Sequence, residues 1–184
     1  MDNGACCYHR FLSGDKDGLA DIMRIYRDGL TLYINSMVHD MHTAEELMED
    51  TFVKLYVKKP KFNGKSTFRT WLYSIARFTA VDWLRKNAKA ADVPIDEAYD
   101  LSDDVNIEHD FVKNEEKSAL RKTILKLKPE YGQVLFLKYF EEFTNDEIAE
   151  IMKKSNKQIR DLLYNASKAL KNQLEKEGYV YEKL

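Results

Sequence analysis

The stretch TFRTWLYSIARFTAVDWLRKN, residues 67–87, decides the architecture of this chain, because its apolar residues recur at helical spacing. Nine of its residues share one broad arc of the predicted helix: Phe78, Trp71, Asp82, Ile75, Phe68, Thr79, Leu72, Trp83 and Ala76. We expect Phe68, Leu72 and Ile75 to form a buried stripe. Asp82 should pair with a neighbouring cation, since an unpaired buried carboxylate is costly.

The remaining surface of this helix combines aromatic rings with positive charge. Arg69, Tyr73 and Arg77 lie outside the apolar arc and beside a loop that carries Phe62, Asn63 and Lys65. Single-stranded nucleic acid is bound by this combination, because bases stack on rings while cations follow the phosphates. The pattern therefore predicts an exposed single-strand platform, with an ordinary solvated helix face as the alternative.

The rest of the chain is also predicted to be helical. Prolines occur at three natural breaks, Pro60, Pro94 and Pro129. Capping-box patterns predict helix starts at Thr43, Thr144 and Ser155. No convincing β alternation lasts long enough to indicate a strand. The expected fold class is all-α, with two small helical domains joined by a linker.

Charge is unevenly distributed along the chain and marks that linker. Residues 92–116 contain ten acidic residues and one lysine, a charge of −9, so the remainder carries +7 of the whole-chain −2. This asymmetry indicates two mildly basic parts and an acidic connector. We predict an N-terminal domain over residues 1–90, an acidic linker over 91–112 and a C-terminal domain over 113–184.

The segment FTNDEIAEIMKKSNKQIRDLLYNASKAL, residues 143–170, has the layout of a helix-turn-helix. Six apolar residues fit a shared core: Ile148, Ile151, Ile159, Leu163, Ala166 and Leu170. Lys157, Gln158 and Arg160 would then point outward, where they could read base edges or hold phosphates. A plain helical hairpin is the alternative for this segment alone.

Composition argues against several other classes of protein. No apolar run approaches the ~20 residues that span a bilayer, and no secretory signal is seen, so we expect a cytoplasmic protein. Adjacent Cys6 and Cys7 give no disulfide framework; we expect free thiols near a loose terminus. These cysteines with His9, His39 and His42 lack zinc-site spacing. Without a phosphate loop or nucleophile motif, we expect no enzyme activity, cofactor, metal or small-molecule substrate.

Several motifs in this order make the chain similar to the extracytoplasmic-function group of bacterial RNA polymerase sigma factors. They are TAEELMEDTFVKLY, FRTWLYSIARFTAVDWLRK, LKPEYGQVLFLKYFEEFTNDEIAEIM and the final helix, and the resemblance runs over residues 13–174. The resemblance implies a promoter-recognition subunit that assists DNA melting. It implies as partners core RNA polymerase, through its β′ clamp helices and β flap, promoter DNA and an anti-sigma factor. The acidic linker would thread through polymerase channels.

The resemblance also assigns residues to three surfaces. The minus-ten surface, which captures an extruded nontemplate base, comprises Phe62, Asn63, Lys65, Ser66, Arg69, Tyr73, Arg77, Phe78, Arg85 and Lys86. The minus-thirty-five surface of the helix-turn-helix comprises Ser155, Lys157, Gln158, Arg160, Asp161, Tyr164 and Lys168. The acidic face that docks on the β′ clamp helices comprises Glu46, Glu49, Asp50 and Thr51.

Three departures from the family pattern affect these expectations. Phe78 stands where the family usually has an asparagine of the flipped-base pocket, so a stacking surface replaces an amide. Leu162, Asn165 and Ser167 occupy positions where arginine is common, which predicts weaker phosphate contact. Lys153 replaces the usual turn glycine. A helix-turn-helix regulator that acts without being a polymerase subunit is the alternative function; it would need neither the docking face nor the platform.

Overall fold

The computed structural model describes residues 3–91 and 115–178. These ranges are helical and contain no β-strand, which confirms the all-α prediction. The helices are α1 Asn3–Leu12, α2 Asp17–Val38, α3 Met41–Lys58, α4 Phe68–Ala91, α5 Glu115–Leu125, α6 Pro129–Leu135, α7 Asn145–Met152 and α8 Asn156–Lys176. A π-helical segment, Phe136–Phe140, continues α6. The predicted linker lies outside the described residues except for residue 91, so its boundaries stay predictions.

Two of the three predicted capping boxes are present, and the third is wrong. Thr144 and Ser155 each accept a hydrogen bond from the backbone N–H three residues on, and the side chain there bonds back. The third helix instead begins at Met41, because the Asp40 carboxylate accepts from the Thr43 N–H at 2.7 Å. A carboxylate at the N-cap position serves as well as a hydroxyl. Asp40 is therefore the N-cap, and Thr43 lies inside the helix.

The first domain consists of α1 to α4, with α1, α3 and α4 packed on α2. Phe68 and Leu72 are fully buried as expected, while Ile75 is only partly buried. Asp82 pairs with Lys86 at 3.0 Å, which confirms the expected ion pair. The pair nevertheless lies at the surface, because the side chain of Asp82 is 43% exposed and therefore needs no partner for burial.

Residues 3–12 form a helix, where we expected a loose end. Tyr8 and Phe11 of α1 are buried, and Cys6 and Cys7 are free thiols on this helix. Helix α1 approaches α2 closely at Gly18, where a Cβ atom would lie 2.3 Å from the Cys7 carbonyl oxygen. Among the described residues, no group of His, Cys, Asp and Glu side chains is arranged to hold a metal ion.

The second domain, α5 to α8, contains the predicted helix-turn-helix in α7 and α8. Ile148, Ile151, Ile159, Ala166 and Leu170 are buried in its core. Leu163 is only partly buried, and Leu162 is buried in its place. None of the helices within residues 3–91 and 115–178 has the length and apolar character of a membrane span.

The two domains share one hydrophobic core, which the sequence did not predict. Helix α6 packs on α2 and α7 packs on α4. The rings of Tyr33 and Phe136 lie 6.3 Å apart across this boundary. Gly132 permits the approach, because a Cβ atom there would lie 3.2 Å from the Ser36 carbonyl oxygen.

Candidate nucleic-acid interface

The loop between α3 and α4 presents polar side chains on an aromatic base. Asn63 and Lys65 are exposed, and the Asn63 amide oxygen accepts from the Lys65 N–H at 3.0 Å, an arrangement that fixes a turn. Phe62 is half-buried, with its ring centroid 5.3 Å from that of Trp71 and 5.6 Å from that of Phe68. The loop therefore rests on a cluster of rings instead of standing free.

A second exposed ring lies further along α4. Phe78 is 64% exposed, although the helical arc placed it with the buried stripe. Lys54 of α3 lies beside this ring, its Nζ 6.0 Å from the centroid, and donates a hydrogen bond of 2.8 Å to the Thr79 hydroxyl. Desolvation lowers the pKa of Lys54 from its usual value, although Asp50 and Asp82 oppose the shift.

Lys54 and Trp71 are the residues of this surface that sequence reasoning missed. The sequence around Lys54 does not indicate contact with an aromatic ring, and only the packing of α3 on α4 brings Lys54 to Phe78. Trp71 was assigned to the buried arc, yet it is half-buried and contacts Phe62. Its position seven residues before Phe78, two helical turns, was the available signal that both rings share one side of α4. Arg85 and Lys86 are exposed at the end of this helix, and Ser66 is half-buried.

The expectation of an open platform at Tyr73 is wrong in this structure. Tyr73 is 1% exposed, and its hydroxyl donates a hydrogen bond of 2.6 Å to the Glu141 carboxylate of the second domain. Its ring meets that of Phe143 edge-on at 5.1 Å. Burial and then the Glu141 charge raise the pKa of Tyr73 well above its usual value. The second domain covers this side of α4, which helical periodicity within α4 could not predict.

The two arginines beside Tyr73 face the same domain boundary. Arg69 forms an ion pair with Glu141, and its guanidinium lies 4.2 Å from the centroid of the Phe143 ring. Arg77 donates from Nε to the Gln133 side-chain oxygen at 3.3 Å. Both are partly buried. Their positive charge is therefore directed at the second domain in this arrangement.

The helix-turn-helix exposes the residues predicted for the minus-thirty-five surface: Ser155, Lys157, Gln158, Arg160, Asp161, Tyr164 and Lys168. Tyr164 is 72% exposed. Gln158 has less freedom than we expected, because its side-chain oxygen accepts from the Ser155 N–H at 2.8 Å and completes the capping box. Lys153, at the turn, has φ +56°, the left-handed conformation that glycine adopts more easily.

Three of the four residues predicted for the docking face lie at the protein surface. Glu46, Glu49 and Asp50 are exposed on α3. Thr51 is fully buried, and its hydroxyl donates to the Leu47 carbonyl oxygen at 2.8 Å, so it cannot belong to a surface. The helical period turns Thr51 toward the core, whereas the family motif was carried over by position alone.

An apolar strip that we did not predict continues the acidic face along α3. Val53 is 54% exposed and Val57 is 68% exposed. They follow Glu49 and Asp50 at the three- and four-residue spacing of neighbours on a helix surface. The exposed side of α3 therefore changes from acidic at its N-terminal part to apolar at its C-terminal part.

Comparisons with known proteins match both domains in order. Residues 22–90 match Sigma-70 region 2, and residues 117–170 match Sigma-70, region 4. The chain is 32% identical to the RNA polymerase sigma factor YlaC of Bacillus subtilis over 88% of this chain and 94% of that protein. It is 31% identical to the ECF RNA polymerase sigma factor SigW of the same organism, over 88% and 91%.

Two solved structures have the same fold. The sigma factor RpoE from Bartonella quintana, in complex with the anti-sigma factor NepR, has a TM-score of 0.71 at 19% identity, over 85% of this chain and 96% of that chain. CnrH in complex with the cytosolic domain of CnrY has a TM-score of 0.67 at 18% identity, over 95% and 98%. At these identities the likeness shows the fold alone.

The sequence relatives favour a polymerase subunit over an independent helix-turn-helix regulator, because both relatives are sigma factors that align over nearly their whole length. Both of the regions that define such proteins are present in the expected order. The chain therefore belongs to the extracytoplasmic-function group of RNA polymerase sigma factors, which direct core polymerase to promoters and assist DNA melting at initiation.

Proposed function

We propose that this sigma factor captures the melted minus-ten strand on the exposed aromatic side of its first domain. This open aromatic face consists of Phe62, Trp71 and Phe78 with Lys54, next to Asn63 and Lys65 of the loop. The observation that carries the proposal is Phe78, a large ring that is 64% exposed with a lysine ammonium beside it. Such a ring offers a base a stacking partner, and the lysine offers a cation for the adjoining phosphate.

Ring stacking alone does not offset the cost of extruding a base. Extruding a base from the duplex costs a few kcal/mol, and stacking on an aromatic side chain returns ~1–3 kcal/mol per base. Trp71 and Phe78 lie two turns apart on one side of α4, about 10 Å along the helix. Because each extruded base carries its own cost, stacking offsets only part of it, and cations on the adjoining phosphates must contribute as well. Asn63 and Lys65, which follow Phe62 in the loop, add hydrogen-bond donors.

Arg69, Tyr73 and Arg77 join this surface only after the domains separate. The names minus-ten and minus-thirty-five imply elements about 25 base pairs apart, roughly 85 Å of B-form DNA at 3.4 Å per base pair. A compact chain of this length has a radius of gyration of about 16 Å. We call the arrangement in which the second domain packs on α2 and α4 the closed arrangement. A protein of this size is much shorter than the DNA between the two elements, so the closed arrangement cannot place both domains on one promoter. We assign it to the protein before it joins polymerase.

The second domain contacts the minus-thirty-five element with α8. Lys157, Arg160 and Lys168 are exposed cations on this helix, and Tyr164 adds an exposed ring. Asp161 lies among them and repels phosphate, while buried Leu162 contributes no charge. Fewer phosphate contacts give a shallower dependence of binding on salt. We therefore expect a weaker upstream contact than a helix with arginine at these positions would make.

The exposed side of α3 is the proposed contact surface for core polymerase. Glu46, Glu49 and Asp50, continued by Val53 and Val57, form the docking face for the β′ clamp helices of core polymerase. Acidic residues steer association, and the adjoining apolar strip adds buried area.

The second domain would contact the β flap, and an anti-sigma factor would bind in the cytoplasm. The chain performs no chemistry and needs no cofactor.

The test uses holoenzyme assembled from core polymerase and the full chain. Phe78→Ala should lower the yield of open complexes about tenfold, measured by permanganate reactivity of unpaired thymines, because one stacking contact is lost. Binding to core polymerase should not change. Tyr139→Ala is the matched control, since Tyr139 is 51% exposed but belongs to the second domain. Equal open-complex yields for Phe78→Ala and wild type would exclude the open aromatic face.

A further inference from the structure

Helix α1 lies before the residues that match Sigma-70 region 2, which begin at position 22. It is nevertheless fitted closely to the first domain. A Cβ atom at Gly4 would lie 2.4 Å from the Phe68 ring, and one at Gly18 would lie 2.7 Å from the Phe11 backbone nitrogen. Such close approaches fix the position of α1 relative to α2 and α4. The helix is therefore placed to support its neighbours rather than merely to cover them.

Two side chains of α1 contact the start of the 60–66 loop, which connects α3 and α4. The Tyr8 hydroxyl donates a hydrogen bond of 2.7 Å to the Pro60 carbonyl oxygen. The Phe11 ring lies 5.3 Å from the Lys59 ammonium. Lys59 ends α3 in the left-handed conformation, φ +43°, so both contacts hold the point where the chain leaves the helix.

The Tyr8 ring also supports the aromatic base of that loop. Its centroid is 5.5 Å from that of Phe68 and 5.3 Å from that of Trp71. These two rings in turn contact Phe62. Tyr8 thus touches the loop backbone with its hydroxyl and the supporting rings with its face. Its ring is fully buried, so it contacts no DNA directly.

We propose that Tyr8 is a positioning residue for strand capture: its hydroxyl sets the height and direction of the 60–66 loop, so that Phe62 and Asn63 meet the unpaired strand. This inference rests on the proposed function. A hydrogen bond to a loop carbonyl is a geometric restraint on residues that are not in a helix or strand. Without it the loop samples more conformations, and the strand must select the binding-competent one.

The test is Tyr8→Phe in the full chain, assembled with core polymerase on a promoter fragment that wild-type holoenzyme selects from randomised DNA. The yield of open complexes should fall about five- to tenfold, since one net hydrogen bond is lost. Affinity for core polymerase should be unchanged. Tyr33→Phe is the matched control: Tyr33 is fully buried, and within the described residues its hydroxyl has no hydrogen-bond partner. It should keep the wild-type yield.

A double-mutant cycle separates positioning from general stability. If Tyr8 acts through the loop, Tyr8→Phe should lose most of its effect in an Asn63→Ala background, because the group that it positions is gone. Additive effects of the two substitutions would overturn the proposal. So would a wild-type yield for Tyr8→Phe when Asn63→Ala and Phe78→Ala both impair opening. If those two variants also open promoters normally, the proposed function itself fails.

Discussion

Tyr73 in α4 and Glu141 in the second domain are joined by a hydrogen bond of 2.6 Å across the domain boundary. The same carboxylate pairs with Arg69, so one acidic side chain holds two residues that the sequence assigned to DNA. Gly29 of α2 leaves room for this contact, because a Cβ atom there would lie 2.5 Å from the Tyr73 hydroxyl. The closed arrangement therefore depends on a polar contact in a mostly apolar boundary.

Glu141→Ala should loosen the closed arrangement. Removing the carboxylate leaves Arg69 and Tyr73 without their shared partner and should lower the free energy of unfolding by about 2 kcal/mol. We expect the radius of gyration, measured by small-angle X-ray scattering, to increase. Glu142→Ala is the control, because Glu142 is the exposed neighbour. An unchanged radius for Glu141→Ala would show that apolar packing alone keeps the domains together.

Gly29→Ala tests the same contact from the opposite side. Alanine raises helix propensity by about 1 kcal/mol over glycine in a helix interior, so a substitution without steric effect should stabilise the protein. Here the added methyl group would lie 2.9 Å from the Glu141 carboxylate. We therefore expect destabilisation in urea denaturation and an increased radius of gyration. A stabilised, equally compact variant would show that α2 and Glu141 can move apart without loss.

Glu147 should make the second domain sensitive to acid. Burial raises its pKa, but hydrogen bonds from the Thr144 backbone and hydroxyl and from the Thr70 hydroxyl outweigh this and leave the pKa below its usual value. A depressed pKa stabilises the fold above the unfolded-state value of about 4.3, and that contribution is lost as pH falls through the folded-state pKa.

Glu147→Gln should flatten this dependence, because an amide does not titrate in this range. At pH 7 the variant should lose about 1 kcal/mol, the value of a helix cap. Urea denaturation at pH 7 measures the lost stability, and the difference between pH 7 and pH 3 measures the acid sensitivity. Glu150→Gln serves as control, since Glu150 is exposed on the same helix. Equal acid sensitivity of Glu147→Gln and wild type would assign the effect to another carboxylate.

Lys153→Gly should stabilise the helix-turn-helix by about 1 kcal/mol, because a side chain in the left-handed region costs roughly this amount. Lys153 is exposed and has φ +56°. The increase should appear as a higher urea midpoint with an unchanged slope. Lys171→Gly, inside α8, should instead destabilise by about 1 kcal/mol. Destabilisation by Lys153→Gly would mean that chain entropy outweighs the strain.

Reversal of charge at Glu49 and Asp50 to lysine should weaken binding to core polymerase without unfolding the chain, because both side chains are exposed. We expect an affinity loss of at least tenfold in a pull-down titration, and Val53→Ser with Val57→Ser should have a similar effect. Thr51→Ala should behave differently, lowering stability while folded protein keeps its affinity, since Thr51 is buried. Normal core binding by both double variants would exclude α3 as the docking face.

Local sequence determined the helices, the helix-turn-helix caps and the family, because capping and amphipathic periodicity involve residues three or four apart. The Thr144 and Ser155 boxes follow from such local patterns, whereas the left-handed Lys153 was expected only from the family resemblance. The order of motifs likewise needed no coordinates.

Tertiary structure alone decided which aromatic side of α4 stays open. Periodicity within α4 places Tyr73 and Phe78 on different faces, but it cannot state which face another helix will cover. Contact with the second domain buries Tyr73 against Glu141, a residue 68 positions away, and leaves Phe78 exposed beside Lys54. Packing between distant segments depends on the shape and charge of both surfaces, and neither is encoded in the spacing of one helix.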